Sequence, residues 1–412
     1  MGEWKEYKLG EVADITSSKR IFYSEYVPEG VPFYRSKEVI DKFNKRNIQT
    51  ELFISEEKFK AIKEKFGAPE KDDILLTSVG TLGIPYLVGE KDHFYFKDGN
   101  LTWFRKIEKD KVDAKYLFLW LQSAIGQQKL YEVTIGSTQP ALTIAGLKEI
   151  EIELPDLPEQ KSIASVLSSL DDKIDLLHRQ NKTLEALAKT LFRQWFVPAC
   201  RDVHGAGREE AEVGWETGKV DGVISVKGGT TPSTAKPEFW DGNINWTSPR
   251  DLSNASSIFM FDTERKITEK GLAQIGSGLL PIGMVLLSSR APIGYLAITE
   301  IPVAINQGYI AIICNKVVSN YFIFLWCKAN MNKIENAGNG SVFQEISKSS
   351  FRSLDFIIPP KDKLKAFDSV VEPLFQKIKS NTLQIRTITR LRDTLLPKLM
   401  SGEVRVKEEK DK

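Results

Sequence analysis

LDDKIDLLHRQNKTLEALAKTLFRQW, Leu170 to Trp195, decides how the chain is built. Its seam positions advance by alternate steps of four and three: Leu170, Ile174, Leu177, Asn181, Leu184, Ala188, Leu191 and Trp195. Such a stripe along one helix is the seam of a coiled coil and needs a second helix to cover it. A matching seam lies 204 positions further on, in the same phase: Leu374, Ile378, Asn381, Ile385, Ile388, Arg392, Leu395 and Leu399. Each seam holds one Asn, Asn181 or Asn381, which reads either as a buried polar group that fixes register at some loss of stability or as a residue at a wet edge of the helix. Ser169 and Pro373, matched by the same interval, predict a fresh helix start within each rod.

Outward from the rods, the rest of the chain repeats as well, with a period near half its length. EWKEYKLGEVADI (Glu3 to Ile15) is echoed by GWETGKVDGVISV (Gly214 to Val226), and GVPFYRSKEV (Gly30 to Val39) by NINWTSPRDL (Asn243 to Leu252). The second echo pairs Phe33 with Trp246, Lys37 with Arg250 and Glu38 with Asp251. ILLTSVGTLG (Ile74 to Gly83) returns as VLLSSRAPIG (Val285 to Gly294), and IGSTQPALTIAGLKEIEIELP (Ile135 to Pro155) as NGSVFQEISKSSFRSLDFIIP (Asn339 to Pro359). Each copy is a set of short β-rich runs broken by Gly, Pro, Ser and Thr, with a shorter helical stretch before its last loop, which predicts an α+β globule. Asp156 and Glu159 form a candidate capping box where the first rod begins.

With 412 residues, 42% of them hydrophobic and 27% charged, the chain has material for two or three buried cores. YIAIIC (Tyr309 to Cys314) and YFIFLWC (Tyr321 to Cys327) are too short for membrane spans, and MGEWKEYKLG carries neither an apolar signal nor a myristoylation pattern. A cytoplasmic protein without membrane contact is expected. Cys200, Cys314 and Cys327, with His93, His178 and His204, give no zinc or disulfide spacing, and Cys200 with His204 reads as solvated linker. A net charge of +2 means that any nucleic-acid surface is local.

KGGTTPSTAKPEFWDGNINWTSPRDL (Lys227 to Leu252), ELPDLPEQKSIASVLSSLDDKIDLLHRQN (Glu153 to Asn181) and LRDTLLPKLMSGEV (Leu391 to Val404) resemble specificity subunits of type I restriction–modification systems. The resemblance covers nearly the whole chain and its order of globule, rod, globule, rod. It implies an α+β architecture of two pseudo-repeated target-recognition domains, separated by two long helices packed as an antiparallel coiled coil. The expected segments are residues 1–157 and 214–360 for the recognition domains, 158–200 and 361–403 for the helical spacers, 201–213 for a linker and 404–412 for a charged tail. The implied partners are double-stranded DNA with a bipartite target, two methyltransferase subunits and restriction subunits. S-adenosylmethionine, ATP and Mg are then expected on those partners, with no cofactor, metal or catalytic residue in this chain.

The residues themselves supply candidate base readers, since Arg, Lys, Asn, Gln, Ser and Thr on loops suit base edges in the major groove. In the first copy these are Lys19, Arg20, Arg35, Lys37, Ser78, Thr81, Ser137, Thr138 and Gln139. In the second they are Thr230, Thr231, Thr247, Ser248, Arg250, Ser289, Arg290, Asn306, Gln307, Ser341 and Gln344. Enzyme readings fare worse. KGGTTPST lacks the phosphate-loop spacing; PDLPEQK crowds the scraps of a nuclease motif into one turn; and Ile358 to Lys361 offers only IPPK where an adenine methyltransferase needs an Asn/Asp-Pro-Pro-aromatic loop. The alternative is a structural adaptor that joins protein partners without reading DNA.

Overall fold

The runs Ile74–Thr77 and Val285–Ser289 are apolar without alternation because each strand is covered on both faces. Ile74 and Leu76 point into one core while Leu75 points into another; Val285 and Leu287 are likewise opposed to Leu286. The structure, a computed structural model, describes residues 4–44, 46, 48, 50–202, 214–253, 255–290, 292–339 and 344–406, with backbone only over 197–202. The expected linker at 201–213 and the end of the tail therefore lie largely outside the described residues, as do His204 and the side chain of Cys200.

Two compact units are present, residues 1–174 with 387–412 and residues 175–386. They divide the chain within the long helices rather than at their ends, because each globule shares a core with stretches of both helices.

In the first unit, strands Asp14–Thr16, Leu101–Arg105, Ile74–Thr77 and Pro85–Leu87 form an antiparallel sheet in that order. A smaller sheet sets Val31–Tyr34 between Phe53–Ile54 and Tyr95–Phe96, the last pair parallel. Helices Ala114–Gln122 and Ala124–Glu132 add Leu117, Trp120 and Leu130 to a core completed by Ile163, Ala164, Leu167, Leu399 and Met400 of the long helices.

The second unit repeats the plan. Ser225–Lys227, Tyr309–Ile313, Val285–Ser289, Ile293–Thr299 and Phe259–Met260 make the larger sheet, and Trp240–Thr247 lies between Arg265–Ile267 and Ala304–Ile305. Phe192 and Phe196 of one long helix and Phe367 and Phe375 of the other join Phe322 and Phe356 in its core. The repeat holds down to single bonds. The Leu9 amide donates to the Ile150 carbonyl at 2.8 Å, and the Val220 amide to Leu354 at 3.0 Å.

The long helices are Leu157–Asp202 and Lys361–Met400, and within each unit their segments run antiparallel. In the first unit Arg392 reaches Asp171 at 2.8 Å and Arg405 reaches Glu159; in the second Asn181 meets Asn381 and Thr382, and Phe196 packs on Phe367. Advancing along one helix thus retreats along the other. Ile174, Leu177, Asn181, Ile378 and Asn381 are buried, whereas Leu170, Leu184, Leu191, Leu374, Ile385, Ile388 and Leu395 are half-buried. Positions beside the seam, Phe192, Phe196 and Phe375, are buried as well, so the stripe is wider than a strict coiled-coil seam because it covers a globule as well as a helix.

The long helices differ from two sequence expectations. Neither helix restarts at Ser169 or Pro373. Ser169 Oγ donates to the Val166 carbonyl, and Pro373, whose missing N–H weakens the helix locally, is bracketed by the fully buried Val371 and Phe375. The capping box is half formed: the Glu159 amide donates to Asp156 Oδ1 at 3.0 Å, but the Glu159 carboxylate pairs with Arg405. Among the described residues no helix is long and apolar enough to cross a membrane.

Candidate nucleic-acid interface

The segment Lys97 to Asn100, which follows strand Tyr95–Phe96, ties the candidate loops of the first unit together. Ser18 Oγ donates to the Phe96 carbonyl at 2.7 Å, the Lys19 amide to the Tyr95 hydroxyl at 2.7 Å, and Arg20 Nε to Asp98 Oδ2 at 2.7 Å. The Lys97 amide donates to Tyr34, beside Arg35 and Lys37, and the Ser78 amide to Asn100. Leu142 donates in turn to the Ser78 carbonyl, docking the hairpin that carries Ser137, Thr138 and Gln139. Gly136 turns that hairpin at φ 88°, where a Cβ would meet the Gln139 carbonyl at 2.8 Å.

Asn306 to Gly308 plays the same part in the second unit. The Thr230 amide donates to the Ile305 carbonyl, Asn306 to Thr247, Ser289 to Gly308 and Ile346 to Ser289. Thr231 Oγ1 donates to Gln307 Oε1 at 2.7 Å. Gly229 permits this approach, since a Cβ there would fall 1.7 Å from the Ile305 oxygen. Asn306 and Gln307 are among the candidates the sequence offers, whereas Lys97, Asp98 and Asn100 are not. The signal was available: FKDGN (Phe96 to Asn100) matches INQGY (Ile305 to Tyr309), sharing the glycine at Gly99 and Gly308.

The echoed pair Glu38 and Asp251 is structural. Glu38, fully buried, accepts the Arg35 amide and the Arg35 guanidinium at 2.8 Å each, a contact that holds the guanidinium pKa above its ordinary value. Asp251 accepts the Ser248 amide at 2.8 Å, Thr247 Oγ1 at 3.1 Å and the Glu264 amide at 2.9 Å. Burial pushes the Tyr309 phenol up, so it stays protonated and donates to the Ser248 carbonyl at 2.6 Å. Each carboxylate thus freezes a loop whose next-door cation, Lys37 or Arg250, is left exposed.

Ser78, Thr247 and Ser289 are buried, and Ser78 is spent on Thr102 and the Leu76 carbonyl; these three shape the loops from within. Lys19, Arg20, Lys37, Thr81, Ser137, Thr138, Gln139, Thr230, Arg250, Gln307 and Gln344 are exposed, with Arg35, Thr231, Ser248, Arg290 and Asn306 half-buried. Ser341 lies outside the described residues. The positive charge is partly offset in place, by Asp98 on Arg20, by Glu264 at 3.7 Å from Arg250 and by Glu345 at 3.8 Å from Arg290. Both clusters therefore present hydroxyls, amides and guanidinium groups with modest net charge, a donor set for base edges rather than for phosphate alone.

A family model described as the type I restriction modification DNA specificity domain matches residues 1–186 and 212–390. The type I restriction enzyme MjaIX specificity subunit of Methanocaldococcus jannaschii is 29% identical, over 98% of this chain and 94% of its own length. The HindI specificity subunit of Haemophilus influenzae is 26% identical, over 98% of this chain and 100% of its own. In fold, the chain is similar to the crystal structure of a type I restriction–modification S subunit from M. genitalium, with a TM-score of 0.61, 96% of each chain covered and 16% identity.

Proposed function

The chain belongs to the type I restriction–modification DNA specificity family, and on that premise we propose that each of its globules reads one half of a bipartite DNA site. The observation that carries this reading is the recurrence, in both globules, of four loops hydrogen-bonded around one central turn and bearing exposed polar and cationic side chains. The helix pair fixes the gap between the half-sites and docks two methyltransferase subunits, with restriction subunits joining them. Chemistry resides on those partners, which carry S-adenosylmethionine, ATP and Mg; this chain acts as the reader, in the cytoplasm.

The test is to map methylated adenines in DNA from cells that express the chain with its methyltransferase partner. A single bipartite motif with a fixed gap is expected, and exchanging residues 2–154 for those of another specificity chain should alter one half of it only. A motif that changes in both halves overturns the modular reading. A complex that binds duplex DNA without sequence preference and without salt dependence returns the chain to the adaptor role.

A further inference from the structure

Tyr23 is 90% exposed and Phe22 62%, yet neither sits on a loose segment. On one side their loop is held by the Lys19 amide on Tyr95 and by Arg20 on Asp98. On the other, the Phe22 amide donates to Glu25 at 2.8 Å, and the second oxygen of Glu25 takes Lys58 Nζ at 2.5 Å. The Tyr23 ring meets Tyr26 edge-on at 6.4 Å, Tyr26 meets Phe33 at 5.1 Å, and Phe33 lies 6.5 Å from the buried Tyr95. A line of aromatic contacts thus runs from the core beneath the candidate loops out to the tip. Phe33 is one residue before Tyr34, the carbonyl that anchors Lys97, so the tip shares its footing with the reading cluster.

Two rings held in water by a preorganised loop are placed for a partner, since fixing them beforehand removes the ordering cost of binding. Lys19 and Arg20 precede them and Lys58 stands beside Glu25, so the tip is apolar with cations around it. That combination fits a polyanion with apolar base surfaces. We propose that Phe22 and Tyr23 form an apolar DNA contact of the first globule, packing against bases of the first half-site and contributing to its specificity. This rests on the DNA-reading function proposed above. The matching turn of the second globule, Pro237–Phe239, leads into Trp240 as Tyr23–Glu25 leads into Tyr26, and it places Lys236 and Pro237 where the first globule has Phe22 and Tyr23, so the aromatic contact belongs to one half-site alone.

The experiment uses the full chain assembled with its methyltransferase subunits, as wild type, Phe22→Ala, Tyr23→Ala and Lys37→Ala. It measures duplex affinity against salt and maps methylated sites. Loss of an exposed ring should leave the melting temperature and assembly unchanged. Tyr23→Ala or Phe22→Ala should weaken cognate binding about five- to a hundredfold, with an unaltered salt slope, and relax the first half of the motif while the second stays intact. Lys37→Ala should instead reduce the salt slope by about one.

If Lys37→Ala weakens binding while both ring variants keep wild-type affinity and motif, the aromatic contact is wrong and the DNA-reading function stands. If none of the three alters binding or motif, the first globule does not read DNA through this face and both fall. If the ring variants fail to co-purify with the methyltransferase subunits while DNA affinity per assembled complex is unchanged, the tip is a protein contact and the proposal is overturned.

Discussion

Asn181 and Asn381 face each other inside the second unit, and replacing them by leucine singly and together should reverse the sign of the stability change. Asn381 is fully buried; its Nδ2 donates to Asn181 Oδ1 at 2.9 Å and to Gln180 Oε1 at 3.3 Å. Asn181 Nδ2 donates to Thr382 Oγ1 at 3.3 Å, and Thr382 also donates to the Ile378 carbonyl at 2.7 Å. Asn381 Oδ1 has no partner among the described residues, so the pair is an incompletely satisfied polar layer. Asn181→Leu or Asn381→Leu alone strands the remaining amide, at a cost of about 1–3 kcal/mol. The double replacement strands neither amide and leaves Thr382 its helical acceptor, so it should be neutral or stabilising by about 1–4 kcal/mol, as when buried polar groups give way to packed apolar ones. The double-mutant cycle should therefore show coupling of at least about 2 kcal/mol, beyond the spread expected for independent sites. Urea unfolding followed by helical circular dichroism measures all four proteins. With Leu177, Leu184, Ile378 and Ile385 around it, the all-leucine layer no longer distinguishes registers, and the methylated motif should appear with more than one gap. A double variant destabilised by the sum of the two single losses would refute the reasoning about the layer, and a single unchanged gap would refute its role in register.

Lengthening one helix alone would leave four residues without partners, because the pairs Asp171–Arg392 and Asn181–Thr382 bind the two side by side. Four residues inserted after Leu177 and four after Ile385 should instead lengthen the pair by about 6 Å, or about two base pairs at ~3.4 Å each; methylation mapping should return the same half-sequences with a wider gap, and an unchanged gap means the helices are not the spacer. Arg250→Ala, which removes an exposed cation held only loosely by Glu264, should relax one position of the second half-site by about 1–3 kcal/mol of discrimination and leave the first half alone; a change in the first half contradicts the assignment. Asp73 is buried and accepts the Trp103 indole N–H at 2.8 Å, and burial pushes its carboxyl from 3.8 up to about 6. The folded state then holds a proton that the unfolded state has released, so stability falls as pH rises from 4 through 6, by up to about 3 kcal/mol. Asp73→Asn keeps an oxygen for the indole and should abolish that fall in first-unit unfolding between pH 4 and 7; equal pH slopes in both proteins would rule it out.

The rods, their phase and the duplication were legible in the sequence because each is a local or strictly periodic property. Steps of four and three specify a helical stripe wherever they occur, and Glu38 with Asp251, or Ile74 with Val285, report a repeated plan by position alone. The same pattern did not reveal how far each helix runs. Pro373 reads as a break, yet burial of Val371 and Phe375 carries the helix past it. Nor could it separate readers from scaffolding: Ser78, Thr247 and Ser289 have the right chemistry for base edges, but the chain folds them inside. Only the tertiary structure brings Lys97 to Asn100 against loops that are distant in sequence, through backbone bonds whose donors and acceptors carry no residue identity. Side-chain type and period are written in the sequence one residue at a time, whereas exposure and the meeting of loops depend on long-range packing of the whole globule.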